Sequence, residues 1–464
     1  MSLSNRASPT ILSIVSLLAL LIFMPFLFLA AYNTARIVSR ATGTRAMITV
    51  DSNSDLGPIK TDFYHAFAQG GEESADMLKP ITQEVASLHP LLIRIDHIYD
   101  HYNVVNRKDT LSFEFDALDA VVDSIVATGA KPVLALSYMP AAIAKDGEIT
   151  NVPNDWNEWA LVVQKTIEHF SGKSQRNIRD VYYEVWNEPD AQQFGGWNLS
   201  DQKNYLILYK YAAIGAQKAE SVSSFFLGGP GTTGLKKDWI IALITSGNRV
   251  DFLSWHSYFP DPRRYAEDQR SVVSWLMPYP GFTLTPKLIT EFGFSGAKDI
   301  RYNSSYAAAY TASVIRQLLS GGPTYLFSFQ LIDGPGQQIG NGWGLLTHSD
   351  NGKRPKPRYH IFSFLDNVVG NRIDLRGEGT WVTGYATKDK NTISIALVNF
   401  SQEGDHSETV PVTVTSLTSG TYAYRERFFQ GRTTARTETI QGSVFSTELY
   451  MPSHSVAIVE LSKQ

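Results

Sequence analysis

The alternation of strand-like and helix-like segments between residues 63 and 330 constrains the fold of this chain more than any other feature. Eight short apolar runs occur there, and stretches with apolar residues at helical spacing separate most of them. This alternation is typical of a parallel sheet with helical crossovers, and eight such strands close into a barrel. The sequence predicts an α/β fold, a (β/α)₈ TIM barrel, with strands at 63–68, 91–95, 132–136, 181–185, 225–227, 252–255, 287–290 and 325–330.

The composition changes after about residue 371, where short runs rich in Val, Thr and aromatic residues are separated by turn residues. This pattern is typical of a small antiparallel β-sandwich. An early run at 46–50 is placed to add one strand to it. We therefore expect a linker at 36–60, a barrel at 61–370 and a β-sandwich at 371–464, with sandwich strands at 381–387, 392–399, 409–414, 422–428 and 455–461.

The fourth predicted strand, Val181–Val185, runs directly into Trp186, Asn187 and Glu188. A carboxylate, an amide and an aromatic face thus follow the carboxyl end of a barrel strand, which is where barrel enzymes build their active sites. A glutamate that only caps the next helix is the alternative for this position.

A second glutamate, Glu291, follows the seventh predicted strand in the segment LITEFGFSG. The ends of strands four and seven face each other across one end of a barrel, so Glu188 and Glu291 are expected to meet. Paired carboxylates are what glycoside hydrolysis requires, one as general acid/base and one as nucleophile.

WNEP after the fourth strand and a glutamate after the seventh resemble the retaining glycoside hydrolases of clan A. Within that clan the chain is most similar to family 39, the β-xylosidase and α-L-iduronidase family, through the segments QGGEE, IRID, WHSY and ITEFG and the appended sandwich. The resemblance implies that Glu188 is the acid/base and Glu291 the nucleophile. No cofactor is expected.

Further residues are candidates for binding substrate. Tyr258 and Arg94 could donate hydrogen bonds that keep the nucleophile ionised, and Asn187 would bind the sugar 2-hydroxyl. His256 either lines the same subsite or is a core histidine. The remaining candidates, each of which could instead serve packing, are Tyr138, Asp96 and His97 for sugar hydroxyls and Trp197, Trp343 and Phe329 for stacking on sugar rings.

Metal and nucleic-acid sites are not expected. Asp96, His97, Asp100 and His101 form a cluster in the sequence, but on a strand and loop their spacing does not define one coordination site. The chain has no cysteine, a net charge of −4 and a pI near 6.2, which gives no sign of a surface for polyanions.

The sequence thus predicts a retaining glycosidase that acts on an extracellular or cell-envelope polysaccharide or oligosaccharide. Many clan members carry a tryptophan at the end of strand eight, whereas this chain has LFSFQLIDG, so xylose, uronic acid, glucose, mannose and galactose all stay open. A non-catalytic carbohydrate-binding or scaffold protein and a transglycosylase are the alternatives. The oligomeric state is unknown.

Ile11 to Ala31 is a run of 21 residues without a charge, long enough to span a bilayer. It predicts a transmembrane signal anchor within residues 1–35; a cleaved signal peptide, which would leave a secreted protein, is the alternative. Arginines flank both sides of the run, so charge does not set its orientation. We expect the barrel outside the cytoplasm because polysaccharide substrates are there.

Overall fold

A computed structural model describes residues 24, 43–319, 321–322, 324–336 and 342–464. Eight parallel strands close into a barrel, in the order β10-β11-β2-β3-β6-β7-β8-β9. The predicted barrel is therefore confirmed. Its strands are β2 (Ala66–Gln69), β3 (Leu92–Ile95), β6 (Lys131–Leu136), β7 (Val181–Val185), β8 (Phe225–Thr232), β9 (Phe252–Tyr258), β10 (Lys287–Gly293) and β11 (Thr324–Phe329); β4 (Val105–Arg107) and β5 (Leu111–Phe113) form a hairpin after β3.

Helices cover the outside of the barrel and begin where the sequence supplies caps. Asp155 accepts a hydrogen bond from the backbone N–H of Asn157, and Asn204 accepts one from that of Leu206. Such caps each stabilise a helix by about 1 kcal/mol. The α-helices are Thr82–Ala86, Asp116–Ala127, Trp156–Ser171, Tyr205–Lys218, Lys237–Ile244, Arg263–Leu276, Ser305–Leu318 and Pro357–Leu365.

Apolar residues at helical spacing over residues 75–88 predict one helix between β2 and β3, but the observed helix is shorter. Only a 3-10 turn at Lys79–Ile81 and a short helix at Thr82–Ala86 form there. Pro80 lacks a backbone N–H, so a regular helix cannot run through it.

The second sheet contains nine strands in the order β17-β16-β19-β14-β13-β12-β1-β15-β18. These are β1 (Ile48–Asp51), β12 (Asn371–Arg376), β13 (Val382–Asp389), β14 (Thr392–Asn399), β15 (Glu408–Thr415), β16 (Gly420–Phe428), β17 (Thr433–Ile440), β18 (Phe445–Met451) and β19 (Ser455–Lys463). The expected early strand lies within it: β1 pairs antiparallel with β12 and parallel with β15. The sheet fits the expected sandwich domain but is mixed, because β1 runs parallel to β15 while the other neighbouring strands pair antiparallel.

The predicted transmembrane segment, Ile11 to Ala31, lies outside the described residues apart from Met24. Among the residues that the structure does describe, no helix combines the length and apolar character needed to cross a bilayer.

The interior of the barrel is filled by apolar side chains from the lower parts of the strands. Ala66, Leu92, Val133, Phe252 and Leu288 belong to this cluster, and all are at most 4% exposed. A packed interior leaves no pore. Polar side chains are therefore free to gather only above this layer, where the strands end at the mouth of the barrel.

Candidate active site

Glu188 lies just beyond β7 on a backbone that leaves the strand sharply. Trp186 and Glu188 both have positive φ, 74° and 41°. Non-glycine residues adopt this conformation at a cost and keep it where the surroundings hold them. Here the Glu188 N–H donates to the Gly231 carbonyl at 2.9 Å, and the Trp186 indole N–H donates to the Phe194 carbonyl at 2.8 Å. The turn therefore places the Glu188 carboxylate 2.9 Å from His256, which lies in β9.

Trp197 lies behind this turn. Its ring meets Trp186 edge to face at 5.2 Å between centroids, and the residue is 2% exposed. The structure therefore places Trp197 as a support for the Trp186 ring and gives it no open face for a sugar.

Glu291 lies in β10 and receives two strong donors. The Tyr258 hydroxyl donates to Oε2 at 2.7 Å, and Nη1 of Arg94 donates to Oε1 at 3.0 Å. The Tyr258 and Arg94 side chains thus reach the carboxylate that the sequence assigned to them. Both contacts favour its ionised form.

Arg94 is fully buried and binds three partners. Besides Glu291, its Nε donates to Glu184 at 2.7 Å and its Nη2 donates to the Asn187 side-chain oxygen at 2.8 Å. Glu184 was missed by sequence reasoning, although it is the one charged residue within the apolar strand Val181–Val185, which is a usable signal. Thr290 also donates to Glu184, at 3.0 Å. This buried charge network fixes the floor of the site.

His256 connects the two catalytic candidates. Its Nδ1 lies 2.9 Å from Oε1 of Glu188 and 3.6 Å from Oε2 of Glu291, and the ring is entirely buried. Its Nε2 is buried without a hydrogen-bond partner among the described residues. The structure therefore places His256 in the site and between the two carboxylates.

Asn187 joins the network to Tyr138. Its amide nitrogen donates to the Tyr138 hydroxyl at 2.9 Å while its oxygen accepts from Arg94. These contacts fix which end of the amide is the nitrogen.

The charges of the site depend strongly on burial. Burial raises the pKa of Glu291, and the charges of His256 and Arg94 oppose that rise. Burial also disfavours protonation of His256, but Glu291 and Glu188 outweigh it and raise the pKa of His256. Burial and the Glu291 charge raise the pKa of Tyr258 well above its usual value, so Tyr258 stays a donor. The site can therefore hold one proton close to both glutamates.

Aromatic side chains extend the site beyond Tyr258. The Phe329 ring contacts Tyr258 at 6.4 Å and Trp343 at 5.7 Å between centroids, both edge to face. Lys298 Nζ lies 5.5 Å above the Trp343 ring. Phe329 and Trp343 thus form one wall of the mouth, on the side of Glu291.

The Asp96–His101 segment lies on the rim after β3. The ligand atoms of His97, Asp100 and His101 lie within 4.8 Å of one another, closer than the sequence suggested. However, His97 Nδ1 already bonds Asp100 at 2.7 Å, and the two imidazole rings stack at 4.3 Å. The lone pairs of imidazole nitrogens lie in the plane of each ring. In two stacked rings these lone pairs lie in neighbouring parallel planes, whereas a metal ion needs them to point at one position. The contacts thus favour a hydrogen-bonded cluster.

Two β-xylosidases resemble this chain in sequence. A β-xylosidase of Caldicellulosiruptor saccharolyticus is 29% identical over 336 residues, 64% of this chain and 66% of that protein. A β-xylosidase of Geobacillus stearothermophilus is 27% identical over 305 residues, 57% of this chain and 58% of that protein. The chain thus spans less than two thirds of the length of either relative.

The fold is shared with solved enzymes. A crystal structure of a monomeric β-xylosidase from Caulobacter crescentus CB15 matches with a TM-score of 0.73 at 20% identity, covering 90% of this chain and 99% of that one. Residues 47–402 match the family model described as glycosyl hydrolases family 39, a stretch that includes both glutamates and every barrel strand. The expected resemblance is therefore confirmed, and this chain belongs to family 39 of the glycosyl hydrolases.

Proposed function

We propose that this chain is a retaining glycoside hydrolase that works by double displacement. Glu291 attacks the anomeric carbon while Glu188 protonates the departing glycosidic oxygen; Glu188 then takes a proton from the water that releases the sugar from Glu291. Each displacement inverts the anomeric carbon, so the two steps together retain its configuration.

One observation carries the proposal: a single imidazole nitrogen, Nδ1 of His256, contacts Glu188 at 2.9 Å and Glu291 at 3.6 Å. The two carboxylate oxygens cannot be further apart than the sum of these distances. Retaining enzymes hold their carboxyl groups about 5–5.5 Å apart, whereas inverting enzymes need about 6.5–9.5 Å for a water molecule between them. This close approach favours direct attack by Glu291.

The hydrogen-bond partners support the division of roles. Glu291 accepts from Arg94 and Tyr258, which suits a carboxylate that must stay ionised. The Glu188 carboxylate instead lies against His256, a side chain that can hold a proton. The Glu188 side chain is also the more exposed, at 15% against 8%, as a group that must meet water requires.

Azide rescue tests the assignment, with 2,4-dinitrophenyl β-D-xyloside as the first substrate because the curated relatives are β-xylosidases. Glu188→Ala should lose at least about 10²-fold in turnover and recover with azide, giving a glycosyl azide of retained configuration. Glu291→Ala should give the inverted azide. Glu448→Gln, an exposed change in β18, is the control. Release of the inverted sugar by the unaltered enzyme would overturn the proposal.

The same residues would serve a transglycosylase, in which a sugar instead of water resolves the intermediate. We favour hydrolysis because water needs no acceptor site. Product analysis by mass spectrometry, with and without added xylo-oligosaccharide, separates the two: hydrolysis gives free sugar as the main product, and elongated oligosaccharides would overturn it.

We also propose that Ile11 to Ala31 anchors the chain in a membrane, with the barrel outside the cytoplasm and facing an envelope or extracellular glycan. The uncharged length of this run supports the anchor. The full chain should sediment with carbonate-washed membranes, and a chain starting at residue 43 should not. Cleavage of the full chain near residue 31 would instead indicate a signal peptide.

A further inference from the structure

The proposed chemistry divides the barrel mouth into two halves. Glu291 must contact the anomeric carbon of the sugar that becomes bound, while Glu188 must contact the oxygen of the leaving group. The retained sugar therefore lies away from Glu188, over the ends of β10, β11, β2 and β3, which are neighbours in the barrel. The charges at these strand ends decide which sugar can be held.

Among the described residues in this half of the mouth, the buried Arg94 and the half-buried His97 are paired with carboxylates. Arg94 is fully buried against Glu184 and Glu291. His97 bonds Asp100 at 2.7 Å. A sugar carboxylate would have to compete with protein carboxylates for each of these groups.

A further cation, Lys356, is matched in the same way. Its Nζ lies 2.6 Å from Asp333 and donates to the Gly342 carbonyl at 3.0 Å, and its side chain is 1% exposed. This lysine therefore fastens the segment that carries Trp343 and has no surface to offer a ligand.

Asp96 forms no close ion pair among the described residues, although its charge favours the protonated form of the adjacent His97. It is 7% exposed just beyond β3, and its Oδ1 accepts the backbone N–H of Gly71 at 2.9 Å. Burial raises the pKa of Glu291, and the charge of Asp96 adds to that rise.

Two further charged groups lie on this rim. Burial raises the pKa of Glu72, so the charge argument rests on Asp96. Lys298 lies above Trp343 and is exposed, and its charge opposes the rise in the pKa of Glu72.

We propose that this half of the mouth is a subsite for a neutral sugar, with Asp96 accepting a hydrogen bond from a ring hydroxyl, and that it rejects uronic acids. The inference rests on the proposed glycosidase function and narrows its substrate class. A C6 carboxylate would bring a second negative charge to Asp96 and Glu291 in a partly buried site, where like charges repel strongly. A pentose or a hexose with a C6 hydroxymethyl group meets no such repulsion.

A matched pair of substrates tests the proposal. 4-Nitrophenyl β-D-glucoside and 4-nitrophenyl β-D-glucuronide differ only in whether C6 is a hydroxymethyl group or a carboxylate. We expect kcat/KM for the glucoside to exceed that for the glucuronide by at least about 100-fold at low salt. Asp96→Asn should lower the ratio of kcat/KM for the glucoside to that for the glucuronide about tenfold. In the unaltered enzyme, 0.5 M NaCl should lower the same ratio, because salt screens the repulsion. Glu448→Gln should leave the ratio unchanged.

Comparable or faster hydrolysis of the glucuronide would overturn the inference, and so would a ratio that neither Asp96→Asn nor salt changes. If neither compound is turned over, binding to Glu188→Gln decides, measured by ligand-observed NMR with glucose, xylose and glucuronate. Tighter binding of the neutral sugars supports the neutral subsite, and tighter binding of glucuronate overturns it. The azide experiment separately decides whether the proposed hydrolysis occurs.

Discussion

His256 Nδ1 lies 2.9 Å from Glu188 Oε1, and the imidazole has no access to solvent. A proton held between these two atoms can belong to either. The same nitrogen lies 3.6 Å from Glu291, so the charge of His256 is expected to affect the pH dependence of the reaction.

Replacing His256 should move the pH profile. His256⁺ lowers the pKa of Glu291, so His256→Gln should shift the acidic limb of kcat/KM to higher pH, by about one unit, and reduce the maximum. The sign follows because the nucleophile must be ionised, and losing a nearby positive charge makes ionisation harder. Initial rates with an activated aryl glycoside from pH 4 to 9 measure this.

Tyr258→Phe is the matched comparison, because it removes a hydrogen bond to Glu291 without removing a charge. It should lower kcat with a smaller displacement of the acidic limb. An acidic limb that stays in place in His256→Gln would show that the histidine is neutral in the working enzyme.

Arg94 and Glu184 form a fully buried ion pair at 2.7 Å. Arg94→Met should destabilise the fold by about 3–5 kcal/mol, because Glu184 is left buried without its partner. Adding Glu184→Gln should restore most of that stability but not activity, since Glu291 still lacks a donor. Urea unfolding of both single variants and the double variant tests this; additive losses would contradict the coupling.

The effect of replacing Asn187 on kcat/KM should depend on whether the substrate carries a 2-hydroxyl. Asn187→Ala is expected to lower kcat/KM about 100-fold for a glycoside with that hydroxyl, because the contact strengthens in the transition state. The loss should be much smaller for the 2-deoxy glycoside. Equal losses on both substrates would mean that Asn187 acts only by holding Arg94 and Tyr138.

Asp268, in the helix Arg263–Leu276 on the outside of the barrel, should make the stability of the protein depend on pH. Burial raises the pKa of its carboxyl to about 6, since one oxygen is buried without a hydrogen-bond partner in the described part of the chain. The folded protein therefore binds this proton more tightly than the unfolded chain, and the stability contributed is lost as pH rises through about 6.

Asp268→Asn should therefore stabilise the protein at pH 7.5, by about 1–2 kcal/mol, and this gain should disappear at about pH 2.5, where the aspartate is protonated in both states. Thermal unfolding at the two pH values measures the difference. Asp109→Asn, at an exposed position, should show neither effect. A larger gain at the lower pH would reverse the sign and contradict the assignment.

The sequence predicted strands best where the apolar run and the strand coincide. Val181–Val185 and Thr392–Asn399 match their predicted bounds. β8 instead continues to Thr232, five residues beyond its predicted end at residue 227. This extension contains glycines, which the apolar pattern did not mark as a strand. Glycine is needed there because neighbours lie close: a Cβ atom at Gly231 would lie 3.2 Å from the Glu184 side chain. β17 was missed because its exposed residues, TTARTETI, carry no apolar alternation.

The pair of glutamates could be inferred because each ends a strand whose position in the barrel could be counted. Other contacts around them could not be inferred, since they depend on side-chain directions that the sequence does not show. Arg94 thus reaches Glu184, 90 residues further along the chain, as well as Glu291. Trp197, a candidate for stacking on a sugar, instead packs behind Trp186. The roles of the individual sugar-binding residues stay predictions.

The position of β1 sets an order of assembly during synthesis. Ile48–Asp51 leaves the ribosome before the barrel, yet both of its partner strands, β12 and β15, follow the barrel. At roughly 5–20 residues per second, β1 waits tens of seconds for them. A fragment of residues 371–464 would moreover expose the facing edges of β12 and β15, and unpaired edges recruit other chains. The two ends of this polypeptide thus mature as one unit, and the completed barrel is the scaffold that brings them together.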